Sequence, residues 1–223
     1  MDPRVFVATG GTHHKPEFAS SLRVALLYNS TVMETSIRWT SADLDALPDD
    51  GNRYEIVDGE LLVSKQPHYY HQRVCANAVE VLGPWNAATG LGETSVAPGL
   101  IFADDQDVAP DVVWISTDRL AALLGPDGKL HGAPDLVIEV VSPGLINERR
   151  DREAKLKLYS ARGVLEYWIL NWKSRQIEIY RRDETHHLKL DCTLADQDTL
   201  TSPLLPGFSS PVSRLFMGIP VSR

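Results

Sequence analysis

The chain has 223 residues, of which 43% are hydrophobic, and it carries a formal net charge of −8 at pH 7. Because this length and apolar content suffice for one sizeable core, a single globular domain is expected. The acidic balance excludes the broadly basic surface of a protein that coats nucleic acid non-specifically. Any contact with nucleic acid must therefore be local.

The sequence indicates neither a membrane span nor a disulfide framework. No apolar stretch approaches the roughly 20 residues that cross a bilayer. The N-terminus lacks the basic segment and long apolar run of a secretory signal. Cys75 and Cys192 have no metal-ligand or redox spacing, so they are expected to pack as reduced thiols without a role in function. We therefore expect a cytoplasmic protein with neither a membrane nor an organic cofactor as partner.

Residues 1–35 lack the regular patterns found in the rest of the chain. They contain a turn-like run at 10–16 and one short apolar stretch at 24–28 that has no continuation. We interpret them as an N-terminal extension that precedes a domain over residues 36–220. Met33 lies just before the first regular pattern, so it is an alternative start of the protein.

The first regular elements are a short helix, a hairpin and an amphipathic helix. Thr40, with Asp43 three residues later, is typical of a capping box before a helix. An Asp-Gly pair at 58–59, between two β-type runs, predicts a hairpin. Apolar residues at helical spacing from His68 to Leu82 predict a helix, which Gly83-Pro84 should end.

The remaining pattern predicts strands that alternate with two further helices. Strands are expected at 94–97, 100–102, 110–115, 135–141, 164–170, 177–180 and 187–190. Helices are expected at 118–124 and 149–162, the second ending at Gly163. The order of hairpin, helix, strands, helix and strands predicts an α/β (α+β) fold, in which a mixed central sheet is flanked by helices.

Glu139 lies in the middle of the apolar run 135–141, which reads as a strand buried on both faces. Alternation places Glu139 on the same face as Val137 and Val141. An unpaired charge in such an interior costs several kcal/mol or shifts its pKa. Glu139 is therefore either paired with an arginine for structural reasons or a ligand of a metal ion.

Asp111 opens the apolar strand at 110–115 and is the candidate second ligand. If this strand lies next to the Glu139 strand and runs parallel to it, the two carboxylates meet as Mg²⁺ prefers. Asp135 shares the face of Glu139 but lies about 13 Å from it, so it is expected to face solvent or a turn. Glu55, on the first hairpin strand, is a candidate third carboxylate.

Lys155 lies on the apolar arc of the helix at 149–162, together with Asp151 and Tyr159. A lysine that points inward beside a metal can orient an attacking water and stabilise charge on phosphate. A surface-type pair with Asp151 one turn away is the alternative. Tyr159 could either pack in the core or take part in the function of the site.

His71 follows His68 at i,i+3 on the predicted helix. A zinc pair would need a third ligand at suitable spacing, which the sequence lacks. Contact with the substrate or the site is the preferred interpretation of His71.

These segments, in this order, resemble the Uma2 family of restriction-endonuclease-like proteins within the PD-(D/E)XK nuclease superfamily. The resemblance extends from about residue 40 to residue 216. The matching segments are 53–61, 71–74, 109–113, 133–143, 151–159, 163–168 and 202–208.

The resemblance implies a restriction-endonuclease-like fold and Mg²⁺-dependent hydrolysis of DNA phosphodiesters, with Mn²⁺ as a substitute. It makes Asp111 the acid of the PD element and Glu139 the second acid. Both would hold the ion, together with Glu55 and the Val140 carbonyl. Val141 occupies the usual position of the superfamily lysine, so Lys155 on the following helix is the implied replacement. His71 would be ancillary.

A non-catalytic module that keeps this fold and binds nucleic acid or protein is the alternative function. The absence of an obvious target-recognition domain favours it, whereas the retained Asp111, Glu139 and Lys155 oppose it. A homodimer is expected for double-strand cleavage, on symmetry grounds. Basic side chains could form a phosphate-binding rim or be ordinary solvated charges. These are Arg149, Arg150, Arg152, Lys173, Arg175, Arg181 and Arg182.

Overall fold

Two β-sheets form the framework of the fold in a computed structural model that describes residues 37–141 and 149–220. The predicted extension at 1–35 and the alternative start at Met33 lie outside the described residues. Among the residues that are described, no helix combines the length and the apolar character needed to cross a membrane.

The elements follow one another closely along the chain. The first part contains α1 (Ser41–Leu44), β1 (Arg53–Val57), β2 (Glu60–Ser64), α2 (Tyr69–Thr89), β3 (Gly92–Val96), β4 (Leu100–Ala103), β5 (Gln106–Val108), β6 (Val112–Ser116), α3 (Thr117–Leu123) and β7 (Leu136–Val140). The second part contains a π-helical turn (Arg150–Lys155), α4 (Leu156–Arg162), β8 (Glu166–Asn171), β9 (Gln176–Arg182), β10 (Leu188–Ala195), β11 (Thr199–Thr201), β12 (Ser209–Pro211) and a 3₁₀ helix (Val212–Phe216).

The larger sheet has the strand order β10-β9-β8-β7-β6-β3. Strands β7 and β8 are parallel, whereas its other neighbouring strands are antiparallel. A smaller antiparallel sheet has the order β2-β1-β5-β4, and β11 pairs with β12. The architecture is therefore a mixed central sheet with helices, as the element order predicted.

Strand β7 lies at the centre of the larger sheet, and all five of its residues are buried. Leu136, Ile138 and Val140 join one hydrophobic core, which also contains residues of α2. Val137 joins a second core together with Leu158 of α4. The alternation predicted for this segment is confirmed, because the two sets of side chains enter different cores. Glu139 points toward the second.

Strands β6 and β7 are neighbours, as the meeting of the two carboxylates requires, but they are antiparallel and not parallel as that argument had assumed. Val112 pairs with Ile138, and extending this register by one residue sets Asp111 opposite Glu139. An antiparallel pair brings the start of one strand to the end of the other. The two acids therefore still meet, although for a different geometric reason.

Helix α2 continues beyond the predicted stop at Gly83-Pro84 and ends at Thr89. Its C-cap is Gly90, whose φ of 64° is the left-handed conformation that glycine adopts easily. Pro84 costs the helix interior about 3 kcal/mol. Trp85 offsets this cost, because its ring packs on the core and its indole N–H donates to the Pro206 carbonyl at 2.9 Å.

Asp135 is buried, so the expectation that it faces solvent or a turn is wrong. Its Oδ1 accepts a hydrogen bond from Arg119 at 2.9 Å, and its Oδ2 accepts one from the Ser116 backbone N–H at 2.7 Å. This carboxylate ties the start of β7 to the junction of β6 and α3. Its role is structural, and it lies outside the site described below.

Candidate active site

A cavity of about 610 Å³ opens between the β1–β2 hairpin, the start of α2 and the end of β7. Asp111, Glu139, Val140 and His71 line it, and so do two arginines, Arg53 and Arg150. Sequence reasoning had singled out the first four. The topology brings them to one place because β6 begins where β7 ends.

Asp111 is held by three donors around its buried carboxylate. Its Oδ2 accepts from the Val140 N–H at 2.8 Å and lies 3.1 Å from His71 Nε2, while its Oδ1 accepts from Arg53 at 3.3 Å. Burial alone would raise the pKa of Asp111. The His71 hydrogen bond and the nearby positive charges outweigh burial and hold the pKa well below its usual range. Asp111 is therefore ionised.

Glu139 Oε1 accepts from two buried donors, Lys155 Nζ at 2.8 Å and the Tyr159 hydroxyl at 2.7 Å. Burial raises the pKa of Glu139 to about 8; the Lys155 charge opposes this, and Asp111 and Asp151 add to it. Because Oε1 is occupied in this way, Oε2 is the oxygen that remains for a ligand in the cavity.

Lys155 is almost completely buried, with 1% of its side chain exposed. Besides Glu139, its Nζ contacts Glu55 Oε1 at 3.1 Å. Burial would lower the pKa of Lys155, but the charges of Glu139 and Glu55 outweigh it and raise the pKa above its usual value. Lys155 is therefore a fixed ammonium, and the sequence was right to place it on the buried side of its helix.

The sequence left two interpretations of Lys155, an inward-pointing side chain or a surface-type pair with Asp151, and the structure shows the inward-pointing side chain. Asp151 is buried, and its Oδ1 accepts from Arg150 at 3.3 Å. Lys155 instead reaches the two glutamates, although the charge of Asp151 still raises its pKa. The wider π-helical turn carries both residues and directs them into the same interior.

Glu55 is buried next to the lysine and does not line the cavity. Its Oε1 accepts from the Ala109 N–H at 3.0 Å as well as from Lys155. Burial opposes ionisation, but the Lys155 charge and the Ala109 hydrogen bond lower the pKa of Glu55. Glu55 and Glu139 thus hold the lysine together.

Sequence reasoning missed Arg53 as a member of the site. Arg53 Nη1 donates to the Ala109 carbonyl at 3.0 Å as well as to Asp111. Arg150 had been considered as part of the rim, and its Nη1 donates to Ser64 Oγ at 2.8 Å. The position of Arg53 at the start of a strand that also carries Glu55 was a weak signal, because alternate residues on a strand share a face.

Most of the basic residues considered as a phosphate rim serve other contacts. Arg152 pairs with Glu178, and Arg181 pairs with the buried Glu166. Arg182 donates to backbone carbonyls, including that of Val164 at 2.8 Å. Of that set, Arg150 is the one that lines the cavity described here. The rim interpretation is therefore supported at Arg150.

The residues present fit a hard divalent cation. Asp111 and Glu139 offer carboxylate oxygens to the cavity, and Val140 lines it beside them, so that its carbonyl is a third candidate ligand. Four buried carboxylates (Glu55, Asp111, Glu139 and Asp151) surround three basic side chains (Arg53, Arg150 and Lys155). Burial raises the pKa of Glu139, the neighbouring carboxylates add to this effect, and a bound cation would oppose it.

A second group of potential ligands overlaps the first at Asp111. One atom each of His71, Cys75 and Asp111 lies within 4.8 Å of the others, and all three residues are buried. Cys75 Sγ lies 3.6 Å from His71 Nδ1, so the thiol to which the sequence assigned no role borders the site. Imidazole and thiolate favour a softer ion such as Zn²⁺.

Comparisons with known proteins identify the family of this chain and a solved structure with the same fold. The Uma2 family, described as "Putative restriction endonuclease", matches residues 41–213. A search of the curated proteins finds no match. Five solved chains match, among them the crystal structure of "a putative nuclease belonging to DUF820" from Anabaena variabilis ATCC 29413.

The likeness to the Anabaena structure has a TM-score of 0.63 at 15% identity. It covers 79% of this chain and 97% of the other. At such low identity the likeness shows a shared fold, and it shows this over nearly all of the solved chain. Because the family match covers well over half of the sequence, the chain belongs to the Uma2 family of "Putative restriction endonuclease" proteins.

Proposed function

We propose that this protein is a metal-dependent endonuclease that hydrolyses phosphodiester bonds in DNA and acts in the cytoplasm. One observation carries the proposal: Asp111, Glu139 and Val140 line one cavity, and the buried Lys155 ammonium lies 2.8 Å from Glu139 Oε1. Carboxylates that can hold a metal ion and a fixed positive charge nearby are groups that favour such hydrolysis. The family description supports the same activity.

Asp111, Glu139 and the Val140 carbonyl would hold Mg²⁺, for which Mn²⁺ could substitute. When bound, the ion would supply Lewis-acid polarisation of the phosphate and neutralise charge that develops on it. The Val140 N–H and His71 fix the orientation of Asp111 through its Oδ2. Lys155 and Tyr159 fix Glu139 through its Oε1.

Lys155 would act as a fixed positive charge and hydrogen-bond donor. An ammonium has three N–H groups, and two of them are directed at Glu139 and Glu55. Because Lys155 is 1% exposed and does not line the cavity, it would act mainly through Glu139, which does. Because its pKa is raised, Lys155 keeps its proton and stabilises negative charge rather than accepting a proton. We therefore assign Glu55 to positioning this lysine rather than to direct metal binding.

Arg53 and Arg150 would bind the phosphates of the substrate strand. Both guanidinium groups line the cavity. Guanidinium donors match phosphate oxygens in geometry and keep their charge. Local arginines of this kind are what an acidic protein requires in order to bind a polyanion.

Cleavage of supercoiled plasmid tests the proposal. Wild-type protein with Mg²⁺ or Mn²⁺ should produce nicked plasmid, and Asp111→Asn, Glu139→Gln and Lys155→Met should each abolish nicking. Lys157→Met is the matched control, because Lys157 is on the next helix and its side chain is 80% exposed. Circular dichroism should show that each variant is folded.

Plasmid and single-stranded oligonucleotides that both remain intact after incubation of folded wild-type protein with each metal would reject the nuclease. If the protein then still binds DNA, the non-catalytic binding module becomes the better proposal. Loss of nicking in the two acid variants but not in Lys155→Met would remove the lysine from the mechanism.

A further inference from the structure

Four aromatic side chains form a cluster at the edge of the cavity. His68 stacks on Trp172, with ring centroids 5.3 Å apart and an interplanar angle of 16°. Tyr70 packs against both of these rings, at 5.3 Å and 5.5 Å, and Tyr69 contacts Tyr70 edge-on at 5.7 Å. We call this group, His68, Tyr69, Tyr70 and Trp172, the aromatic cluster.

The aromatic cluster is continuous with the candidate active site. His68 lines the same cavity as Asp111 and Glu139, and it precedes His71 by one helical turn. The ring of His68 is held in place, because its Nδ1 accepts from the Tyr70 N–H at 3.1 Å as the N-cap of α2. Any strand bound at the acids would therefore pass this ring.

The outer part of the aromatic cluster is exposed rather than covered by protein. Tyr69 is 73% exposed, and His68 is exposed although one of its faces rests on Trp172. The indole N–H of Trp172 is buried and has no hydrogen-bond partner among the described residues. The cluster thus offers the exposed rings of His68 and Tyr69 to a ligand.

Positive charge accompanies the aromatic rings. Lys173 Nζ lies 5.9 Å from the ring centroid of Trp172, and Arg53 and Arg150 line the adjoining cavity. Aromatic platforms beside cations are the features with which proteins hold single-stranded nucleic acid, since bases stack while phosphates pair with the charges. These cations and aromatic rings lie in one part of a chain whose net charge is −8.

We propose that the aromatic cluster stacks an unpaired nucleobase of the strand whose phosphate occupies the cavity. Both faces of a base are covered by its neighbours in a duplex, so only a single-stranded or locally unpaired base can stack on protein. The preferred substrate is therefore single-stranded DNA or a duplex with an unpaired position. This inference rests on the proposed nuclease function, because it concerns the same cavity.

Binding of two fluorescein-labelled 12-mers in EDTA tests the inference without catalysis. One is oligothymidylate, and the other has the same sugar-phosphate backbone without bases. Because stacking contributes about 1–3 kcal/mol per base, wild-type protein should bind the thymidylate about tenfold more tightly. His68→Asn, which keeps an N-cap acceptor but lacks the ring, and Tyr69→Ala should reduce this preference to about twofold or less.

His187→Ala is the control, because His187 is also exposed but belongs to the hairpin before β10. It should keep the full preference for thymidylate. Equal binding of the two 12-mers by wild type, or an unchanged preference in both cluster variants, would overturn the stacking inference. A base preference without cleavage of either plasmid or single-stranded DNA would leave stacking standing and reject the nuclease. Cleavage without a base preference would leave the nuclease standing and reject stacking.

Discussion

Glu139 shows how single side chains set the properties of this site. Its two donors, Lys155 and the Tyr159 hydroxyl, both bind Oε1. Burial and neighbouring carboxylates nevertheless raise its pKa to about 8. The two donors therefore hold the carboxyl group in place but do not cancel the effect of burial on its pKa. The site thus still favours a further cation.

Tyr159→Phe should weaken the protein through one lost hydrogen bond. The ring can keep its packing against Tyr167, whereas the donor to Glu139 disappears. Because the acceptor is a buried carboxyl group, the free energy of unfolding should fall by about 1–3 kcal/mol, measured by urea denaturation. Tyr54→Phe removes a bond to the exposed Asp50 and should change it by about 0.5 kcal/mol or less. Equal effects would contradict the assigned role of the hydroxyl.

Metal binding should be visible as thermal stabilisation. Mg²⁺ at a hundred times its dissociation constant should stabilise the native protein by about 2.7 kcal/mol. Asp111→Asn and Glu139→Gln should remove this increase in melting temperature, whereas Cys75→Ser should retain it. If the increase depended on Cys75, the ion would belong to the group formed by His71, Cys75 and Asp111 rather than to the two acids.

At the scale of elements, helix α2 was the least accurately predicted long segment. Local rules end a helix at Gly83-Pro84, because both residues disfavour its interior. The helix continues beyond these two residues because Trp85, the next residue, packs on the hydrophobic core. The π-helical turn Arg150–Lys155 was likewise absent from the predicted regular helix, although the side chains that it buries were correctly anticipated.

Gly83 inside α2 and Gly90 at its C-cap allow a matched test of where this helix ends. An added Cβ meets nothing within 4 Å at either Gly83 or Gly90, so packing does not distinguish them. Gly83 is helical, and Gly83→Ala should stabilise the protein by about 0.5–1 kcal/mol. Gly90 has a φ of 64°, and Gly90→Ala should destabilise it by about 1 kcal/mol. The same sign of change in thermal denaturation of both variants would refute this account.

At the scale of the whole molecule, the acidic charge limits how nucleic acid can bind. The net charge of −8 leaves binding to a few local cations, of which Arg53 and Arg150 line the cavity. A homodimer with two such sites is our proposal for cutting both strands of a duplex. The nuclease domain itself is proposed to span residues 36–220.

The salt dependence of DNA binding should reflect this small number of phosphate contacts. Two phosphate contacts to a single strand predict a slope of about −1.4 for the logarithm of the binding constant against the logarithm of salt concentration. Arg150→Gln should reduce the slope to about −0.7, and Lys157→Gln should leave it unchanged. Fluorescence anisotropy across a salt series measures it. A much steeper wild-type slope would show that a wider basic surface is used.

The sequence by itself identified the candidate site residues of the central part of the fold and the central strand. A glutamate within an apolar run must be compensated, so Glu139 was recognisable from local pattern alone. Period-two alternation assigned the faces of β7, and helical periodicity placed Lys155 inward. Asp111 was identifiable because it opens a second apolar strand. These are local properties, which neighbouring residues in the chain dictate.

Only the tertiary structure decided how these residues meet and which others join them. The antiparallel pairing of β6 with β7, the contact of His71 with Asp111, and the approach of Arg53 depend on strands and helices that are distant in sequence. The aromatic cluster likewise joins residues 68–70 to Trp172 across more than a hundred positions. Such contacts arise from packing of whole elements, whose relative placement no local pattern encodes.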